Sequence, residues 1–198
     1  MAELSEDDHN RPLFFYVTKA PYGEFSQWFR SYFTVSAGEI YSLTTKPPPD
    51  GLDSTQKVQF KTAEQFMMYL KAVQFEDLDI GRKILATSDP KAQKKLGRQI
   101  KGFVDAEWDQ IKQEVVVRGN MAKFGQNERL RGVLLGTGDR ELVEAASNDR
   151  IWGIGFTEKQ VVGGPVDREL WGENRLGRAL MEARKRLRDE EQSVGLKG

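Results

Sequence analysis

Helical spacing of apolar residues after residue 60 is the feature that most constrains the fold of this chain. Thr62 and Gln65 match a capping box, so the segment KTAEQFMMYLKA, residues 61–72, is predicted to start a helix at Thr62. A long helix is predicted from Asp105, where Trp108, Ile111, Val115 and Ala122 recur at helical spacing. Two long amphipathic faces of this kind need other elements to cover them.

Shorter elements surround these helices. Ser88 or Asp89, followed by Pro90, predicts a further helix start. Helices are also expected over 128–138 and 174–191, and strands over 13–18, 31–45 (a hairpin), 56–60 and 141–146. The loops are placed at 20–29, 46–54, 147–156 and 160–173. The prediction is an α+β fold, a single mostly helical domain with a small β-sheet over 12–190, preceded by a flexible leader over 1–11.

Composition removes whole classes of chemistry. The chain of 198 residues has no cysteine and a single histidine, His9, within the predicted leader. Disulfides, thiolate nucleophiles, a Ser-His-Asp triad and His- or Cys-ligated metals are therefore not expected. We predict neither a metal nor a cofactor. Catalysis must rest on carboxylates, Lys, Arg, Tyr, hydroxyls or backbone groups.

Charge and hydropathy bear on location and partners. Basic and acidic residues number 30 each, so net charge does not favour nucleic acid or membranes, although a local basic patch stays possible. No apolar run reaches membrane-span length, and MAELSEDDHN at the start is too polar for a signal peptide. We expect an intracellular, cytoplasmic protein, with a nuclear location not excluded. The oligomeric state stays open.

Four motifs resemble one known family. The segments YGEFSQW, TAEQFMMYLKA, MAKFGQNERLRGVLLGTGDRELVEAASNDRIWGIG and WGENRLGRALMEAR are similar to the NADAR superfamily, also called YbiA-like proteins, in order and spacing. The resemblance spans about residues 13–187. It implies an α+β fold and an N-glycosidase that cleaves ribose C1′ from an exocyclic amine. Some members of the family act on ribosylamino intermediates of riboflavin synthesis, and others remove ADP-ribose from guanine.

The chain departs from the family pattern at three positions. Gln65 stands where the family often has His, Met68 where it has Gln, and Gln27 where it has Asn. The family's acid and amine positions, Glu64 and Lys71, are kept. These departures bear on the substrate more than on the reaction.

Glu64 and Lys71 are the catalytic pair that the resemblance implies, and seven residues of helix place them within roughly 20° of one face. In the first turn Glu64 is favoured as a carboxylate by the helix dipole, which suits a proton shuttle or an oxocarbenium stabiliser. A neutral Lys71 can instead attack an opened sugar and form a Schiff base, provided that its surroundings lower its pKa. The alternative from the residues alone is a surface acid and amine on an amphipathic helix.

Asp149 and two tryptophans are further candidates. Asp149 and Trp152 lie in the loop SNDRIWG, where the acid can assist proton transfer, bind ribose hydroxyls or cap a turn. Trp152 is expected to stack on a nucleobase. Trp108 either stacks on the substrate, as the resemblance implies, or belongs to the core stripe of its helix.

Two segments are expected to bind phosphate or ribose. The aromatic loop offers backbone N–H groups and Ser26, with Gly23, Glu24 and Phe25 beside it, although an Ω-loop packed by its own rings is the alternative. Asn174, Arg175 and Arg178 open the last helix, where arginines near a helix start suit phosphate. The alternative there is a helix cap with solvated arginines.

These observations favour one reaction with two substrates. We expect removal of ADP-ribose from ADP-ribosylated guanine, on a nucleotide or a nucleic acid, because no deaminase or reductase domain accompanies the motifs. The alternatives are a phosphorylated ribosylaminopyrimidine of riboflavin synthesis, and an ADP-ribose- or NAD-binding module without catalysis. A general nucleic-acid-binding module fits the neutral net charge less well.

Overall fold

The structure is a computed structural model that describes residues 11–195, with side chains described to 193. Its elements in chain order are β1 Leu13–Phe15, a 3₁₀ turn Gly23–Phe25, β2 Phe33–Ser36, α1 Ala37–Ser42, β3 Lys57–Phe60, α2 Ala63–Gln74, α3 Leu78–Ala86, α4 Pro90–Gly97, α5 Asp105–Gly125, α6 Glu128–Leu135, β4 Leu142–Glu144, α7 Glu158–Val162, a 3₁₀ turn Arg168–Leu170 and α8 Arg175–Gly195. Helices predominate and the strands form two small sheets, so the predicted α+β class is confirmed. Apart from Arg11, the predicted leader and His9 lie outside the described residues.

The described chain divides into two compact units, 11–26 with 127–195 and 27–126. In the unit of residues 27–126, α2 is the central helix, and it packs against α3, α4 and α5. Ten of the twelve residues of α2 are buried, which explains why polar and apolar side chains of this helix are both enclosed. Phe60 of β3 packs edge-on against Phe66 of α2, with ring centroids 5.1 Å apart.

In the other unit, β1 pairs in parallel with β4, and Leu13 lies opposite Leu142. Helix α8 packs against β4 and buries an apolar stripe that includes Leu176, Leu180 and Leu187. This is the amphipathic pattern that predicted the closing helix, so burial of the stripe explains both its helicity and its place against the sheet.

The predicted hairpin over 31–45 is wrong. Strand β2 ends at Ser36, whose hydroxyl accepts a hydrogen bond from the Glu39 N–H at 3.2 Å and caps α1. The antiparallel partner of β2 is β3, with Phe33 opposite Phe60. The strand propensity after Ser36 yields to this cap and to burial of Ile40 on the inner face of α1.

Other boundaries differ less. Helix α3, which was not predicted, begins where the Asp77 carboxylate accepts the Ile80 N–H at 3.2 Å, and Ile80 and Ile84 are its buried face. The predicted glycine-rich loop contains the end of α7 and a 3₁₀ turn. The predicted strands near 13, 56 and 141 are present, although those at 13–18 and 141–146 are each reduced to three residues. The predicted helix starts near Thr62, Asp89 and Asp105 are present.

Candidate active site

The start of α2 is held by side-chain hydrogen bonds to its neighbours. The Thr62 hydroxyl accepts the Gln65 N–H at 3.0 Å and donates to the Gln93 amide oxygen at 2.8 Å. Fully buried Gln65 accepts the Lys61 N–H and donates to the carbonyl oxygens of Ile84, Leu85 and Thr87, at the end of α3 and just beyond it. Gln65 therefore joins α2 to the end of α3.

Glu64 is the second residue of α2, as predicted, and its exposed fraction is only 6%. Its backbone N–H donates to the Gln27 carbonyl oxygen at 3.0 Å, which fixes the carboxylate-bearing residue at the helix start. Glu64 is therefore a buried acid in a first turn whose backbone is held by Gln27.

Lys71 lies two turns further along α2 and is half-buried. Burial lowers the pKa of its amine, Arg98 and Lys112 lower it further, and Asp105 acts in the opposite direction. This direction agrees with the sequence prediction. The Nζ atom lies 3.6 Å from the ring centroid of Phe103, which sequence reasoning did not single out.

The two predicted catalytic side chains share a helix face without being paired. Seven residues of α-helix correspond to about 10 Å along the axis. Among the residues that the structure describes, Lys71 forms no ion pair. The charged groups that influence its pKa lie on α5 and at the end of α4, and Glu64 is not one of them. Each side chain is thus positioned by its own surroundings.

Trp108, in the first turns of α5, has an exposed fraction of 4%. It belongs to the buried stripe of that helix, together with Val115. A ring this enclosed offers little surface for stacking on a substrate. The structure therefore agrees with the core interpretation of Trp108, which the sequence left open.

The aromatic loop is packed by its own side chains. Phe25 is fully buried, stacks on Tyr22 at 5.9 Å and meets Phe15 edge-on at 5.5 Å. Glu24 forms an ion pair with Arg129 at 2.9 Å. A Cβ on Gly23 would lie 2.3 Å from the Thr18 carbonyl oxygen, so only glycine fits there. These contacts are those of the Ω-loop alternative, and Ser26 beside them is buried.

Asp149 shapes its own loop. Its Oδ1 atom accepts the N–H groups of Ile151 at 3.0 Å and Trp152 at 2.8 Å, which is an Asx turn. Trp152 is half-buried, and its carbonyl oxygen accepts the Leu176 N–H at 3.0 Å. One carboxylate oxygen of Asp149 is therefore used for the turn that sets the position of Trp152.

The three residues predicted to bind phosphate at the start of α8, Asn174, Arg175 and Arg178, have different contacts. Asn174 donates to the Leu142 carbonyl oxygen at 2.9 Å and accepts the Glu144 N–H at 3.0 Å, so its side chain holds β4. Arg175 forms an ion pair with Glu173 at 2.6 Å. Arg178 is exposed and forms no ion pair within residues 11–193, as its solvated alternative expects.

A basic stripe on α4 was not predicted. Helix α4 buries Gln93 and Gly97, and Gly97 lies against Met68 of α2. The other face of α4 carries four cations at helical spacing, none of them ion-paired within the described chain: Lys91, Lys94, Lys95 and Arg98. We call these four residues the basic stripe. Its spacing is visible in the sequence, but the neutral net charge of the chain conceals it.

Other kinds of site are not supported by the described residues. Residues 11–195 contain no group of three or more acidic, His or Cys side chains that could hold a metal ion. No helix in this range is both long enough and apolar enough to cross a membrane. A cleft of about 460 Å³ lies along β1, with Arg140 and Lys159 at its border, and none of the predicted site residues line it.

Known proteins are similar to this chain over most of its length. The model of the NADAR domain matches residues 13–188. N-glycosidase R617 of Acanthamoeba polyphaga mimivirus is 37% identical over 161 residues, which are 81% of this chain and 85% of that protein. N-glycosidase YbiA of Escherichia coli (strain K12) is 34% identical over 131 residues, 66% of this chain and 74% of that protein. The NMR structure of the E. coli protein YbiA matches with a TM-score of 0.65 and 27% identity, covering 92% of this chain and 88% of that one.

Proposed function

Since this chain belongs to the NADAR domain family, we propose that it is an N-glycosidase that removes ADP-ribose from ADP-ribosylated guanine. The enzyme class, a hydrolase of N-glycosyl bonds, is the one that the names of its curated relatives carry. The bond to be cleaved joins ribose C1′ to the exocyclic amine of the base. The products are ADP-ribose and the unmodified guanine, which stays in its nucleoside or strand, with one water consumed.

The observation that carries this proposal is a half-buried amine with a lowered pKa on the helix that also bears the buried acid Glu64. A lower pKa increases the fraction of Lys71 that is neutral and nucleophilic at a given pH. Glu64 can accept a proton from one group and return it to another within the same turnover. Together they supply what cleavage at C1′ requires without histidine, cysteine or a metal.

In the Schiff-base route, the N-ribosyl amine first opens to an imine at C1′. The neutral Lys71 amine adds to C1′, and the base leaves as a free amine after gaining a proton that Glu64 relays in this proposal. Water then adds to the Lys71 imine, and its collapse releases ADP-ribose and regenerates the amine. In the competing route Glu64 activates water directly, and Lys71 contributes only its charge.

The basic stripe supports a substrate rich in phosphate. A diphosphate-linked ribose on a nucleic acid strand carries several negative charges, whereas a ribosylaminopyrimidine phosphate carries one phosphate group. Arg98 of the stripe is also close enough to Lys71 to lower the pKa of that amine. We therefore favour ADP-ribosylated guanine within a nucleic acid strand over the riboflavin intermediate.

The experiment is a direct comparison of substrates. The protein is incubated with an oligonucleotide carrying ADP-ribosylated guanine, with ADP-ribosylated guanosine, and with the ribosylaminopyrimidine phosphate, and release of the ribosyl group (ADP-ribose or ribose phosphate) is followed by chromatography. We expect release from the first two. Release from the pyrimidine alone would assign the riboflavin reaction, and binding of ADP-ribose without release from any substrate would identify a non-catalytic module.

A further inference from the structure

Phe103 lies in the turn between α4 and α5, at a position that the backbone prepares. Gly102 has a φ of +67°, a left-handed conformation that glycine adopts without strain, and the chain reverses there before α5 begins. The Phe103 ring then packs edge-on against Phe75, with centroids 5.2 Å apart and planes at 75°. Its exposed fraction is 40%, so one side of the ring faces solvent.

The other contact of this ring is with the Lys71 amine, 3.6 Å from its centroid. A cation over the centre of an aromatic face is attracted by the ring quadrupole. Packing against Phe75 does not require an ammonium group at that place. Holding a long lysine side chain in one geometry costs rotamer entropy, and the attraction between the ammonium and the ring offsets that cost.

We propose that Phe103 is a positioning residue for Lys71, and that its ring holds the amine in place before it attacks C1′. This inference rests on the proposed function for its catalytic consequence. The ring does not touch the reacting atoms. Its effect is to restrict the four-carbon side chain of Lys71 and to stabilise the ammonium form between turnovers.

The charged groups around Lys71 come from two neighbouring elements. Asp105, at the start of α5, favours the ammonium, and Lys112 of α5 disfavours it while paired with Asp109. Arg98, at the end of α4, also disfavours it. Substitutions of Phe103 leave all of these groups unchanged, so a change in the titration of Lys71 reports on the ring.

The test uses Phe103→Leu, which keeps an apolar side chain and removes the ring quadrupole. Lysine amines are labelled by ¹³C reductive methylation in the full chain, the Lys71 signal is assigned by its loss in Lys71→Arg, and its pKa is measured by NMR. Loss of the cation–π contact should lower this pKa further, because the ring no longer stabilises the ammonium form. Phe103→Trp, with a larger aromatic face, should keep it at or above the wild-type value.

Turnover is measured on the same variants with unlabelled protein. Phe103→Leu should reduce kcat by about tenfold with KM nearly unchanged, because a less restricted amine is less often in position to attack. Phe103→Trp should restore most of kcat. Tyr32→Leu, which removes an exposed ring elsewhere in the same unit, is the matched control and should leave both quantities unchanged.

The two measurements separate the possible failures. A Lys71 pKa that is unchanged or raised in Phe103→Leu overturns the ring contact, whatever the enzyme does. A lowered pKa with an unchanged kcat overturns the positioning role. If the wild-type protein cleaves no N-glycosyl substrate, the proposed function fails, the catalytic part of this inference fails with it, and the titration still decides whether the ring holds the amine.

Discussion

Replacing Glu64 with Gln is the sharpest test of the proposed chemistry, because the substitution keeps size and shape while it removes the charge and the capacity to carry a proton. The backbone N–H of residue 64 would still donate to the Gln27 carbonyl oxygen. Loss of general acid–base catalysis typically reduces rate by 10²–10⁴-fold. We expect kcat to fall by about that factor, while ADP-ribose binding stays within a few-fold of wild type.

The expected change in stability is small. A carboxylate in the first turn of a helix contributes about 0.3–1 kcal/mol through the helix dipole. Relief of burying a charge at a residue with 6% exposure acts in the opposite direction. For a chain of 198 residues, 1 kcal/mol corresponds to about 2–4 °C in Tm. These two contributions alone change the unfolding temperature of Glu64→Gln by no more than about 4 °C.

The assay combines release of ADP-ribose, measured by chromatography, with thermal unfolding of the same preparation. Glu128→Gln is the matched control, because Glu128 is also an acid in the first turn of a helix but is exposed on α6. That variant should retain full activity. A folded Glu64→Gln enzyme with near-normal kcat would refute the assignment of Glu64 as the proton carrier.

Three further predictions follow from the contacts described above. If the Schiff-base route operates, borohydride added during turnover should leave ribose-derived mass on Lys71, and Lys71→Arg should lose both adduct and activity. Because only the neutral amine attacks, kcat should rise with pH until the pKa of Lys71 is passed, and that pKa lies below the usual lysine value. The Schiff-base route is contradicted if Lys71→Arg is active and the wild-type enzyme forms no adduct. Asp149→Asn, which keeps the acceptor for its turn, and Trp152→Ala should weaken ADP-ribose binding in calorimetry more than they lower Tm; normal binding by both would make the loop structural. Changing the three lysines of the basic stripe to Gln should reduce cleavage of the oligonucleotide but not of the nucleoside. The slope of log K against log salt concentration for strand binding should become shallower by about 2. The control changes the exposed Lys19, Lys57 and Lys185 to Gln, and an equal loss of cleavage there would show a general charge effect.

Local signals in the sequence were sufficient for much of α2 and for the place of its acid. Thr62 as a cap, Pro90 after Asp89, and the apolar stripe of the last helix act over three or four residues, and each is present in the structure. The first-turn position of Glu64 follows from the cap alone. The motifs that resemble NADAR proteins are also readable without coordinates, and the family they indicated is the one to which the chain belongs.

The tertiary structure decided the contacts between residues that are distant in the chain. No local rule indicates that β3 pairs with β2 or that the Phe103 ring lies against the Lys71 amine. Nor does one indicate that the Asn174 amide both donates to and accepts from the backbone of β4. A polar side chain is not available to a substrate if it must form hydrogen bonds with buried backbone groups. Which backbone groups are buried depends on packing across the whole unit. The sequence by itself therefore indicated the family and the starts of α2, α4 and α5, and it nominated Glu64 and Lys71 as candidates. The fold alone decided the burial of these two residues, their partners and the direction of the Lys71 pKa.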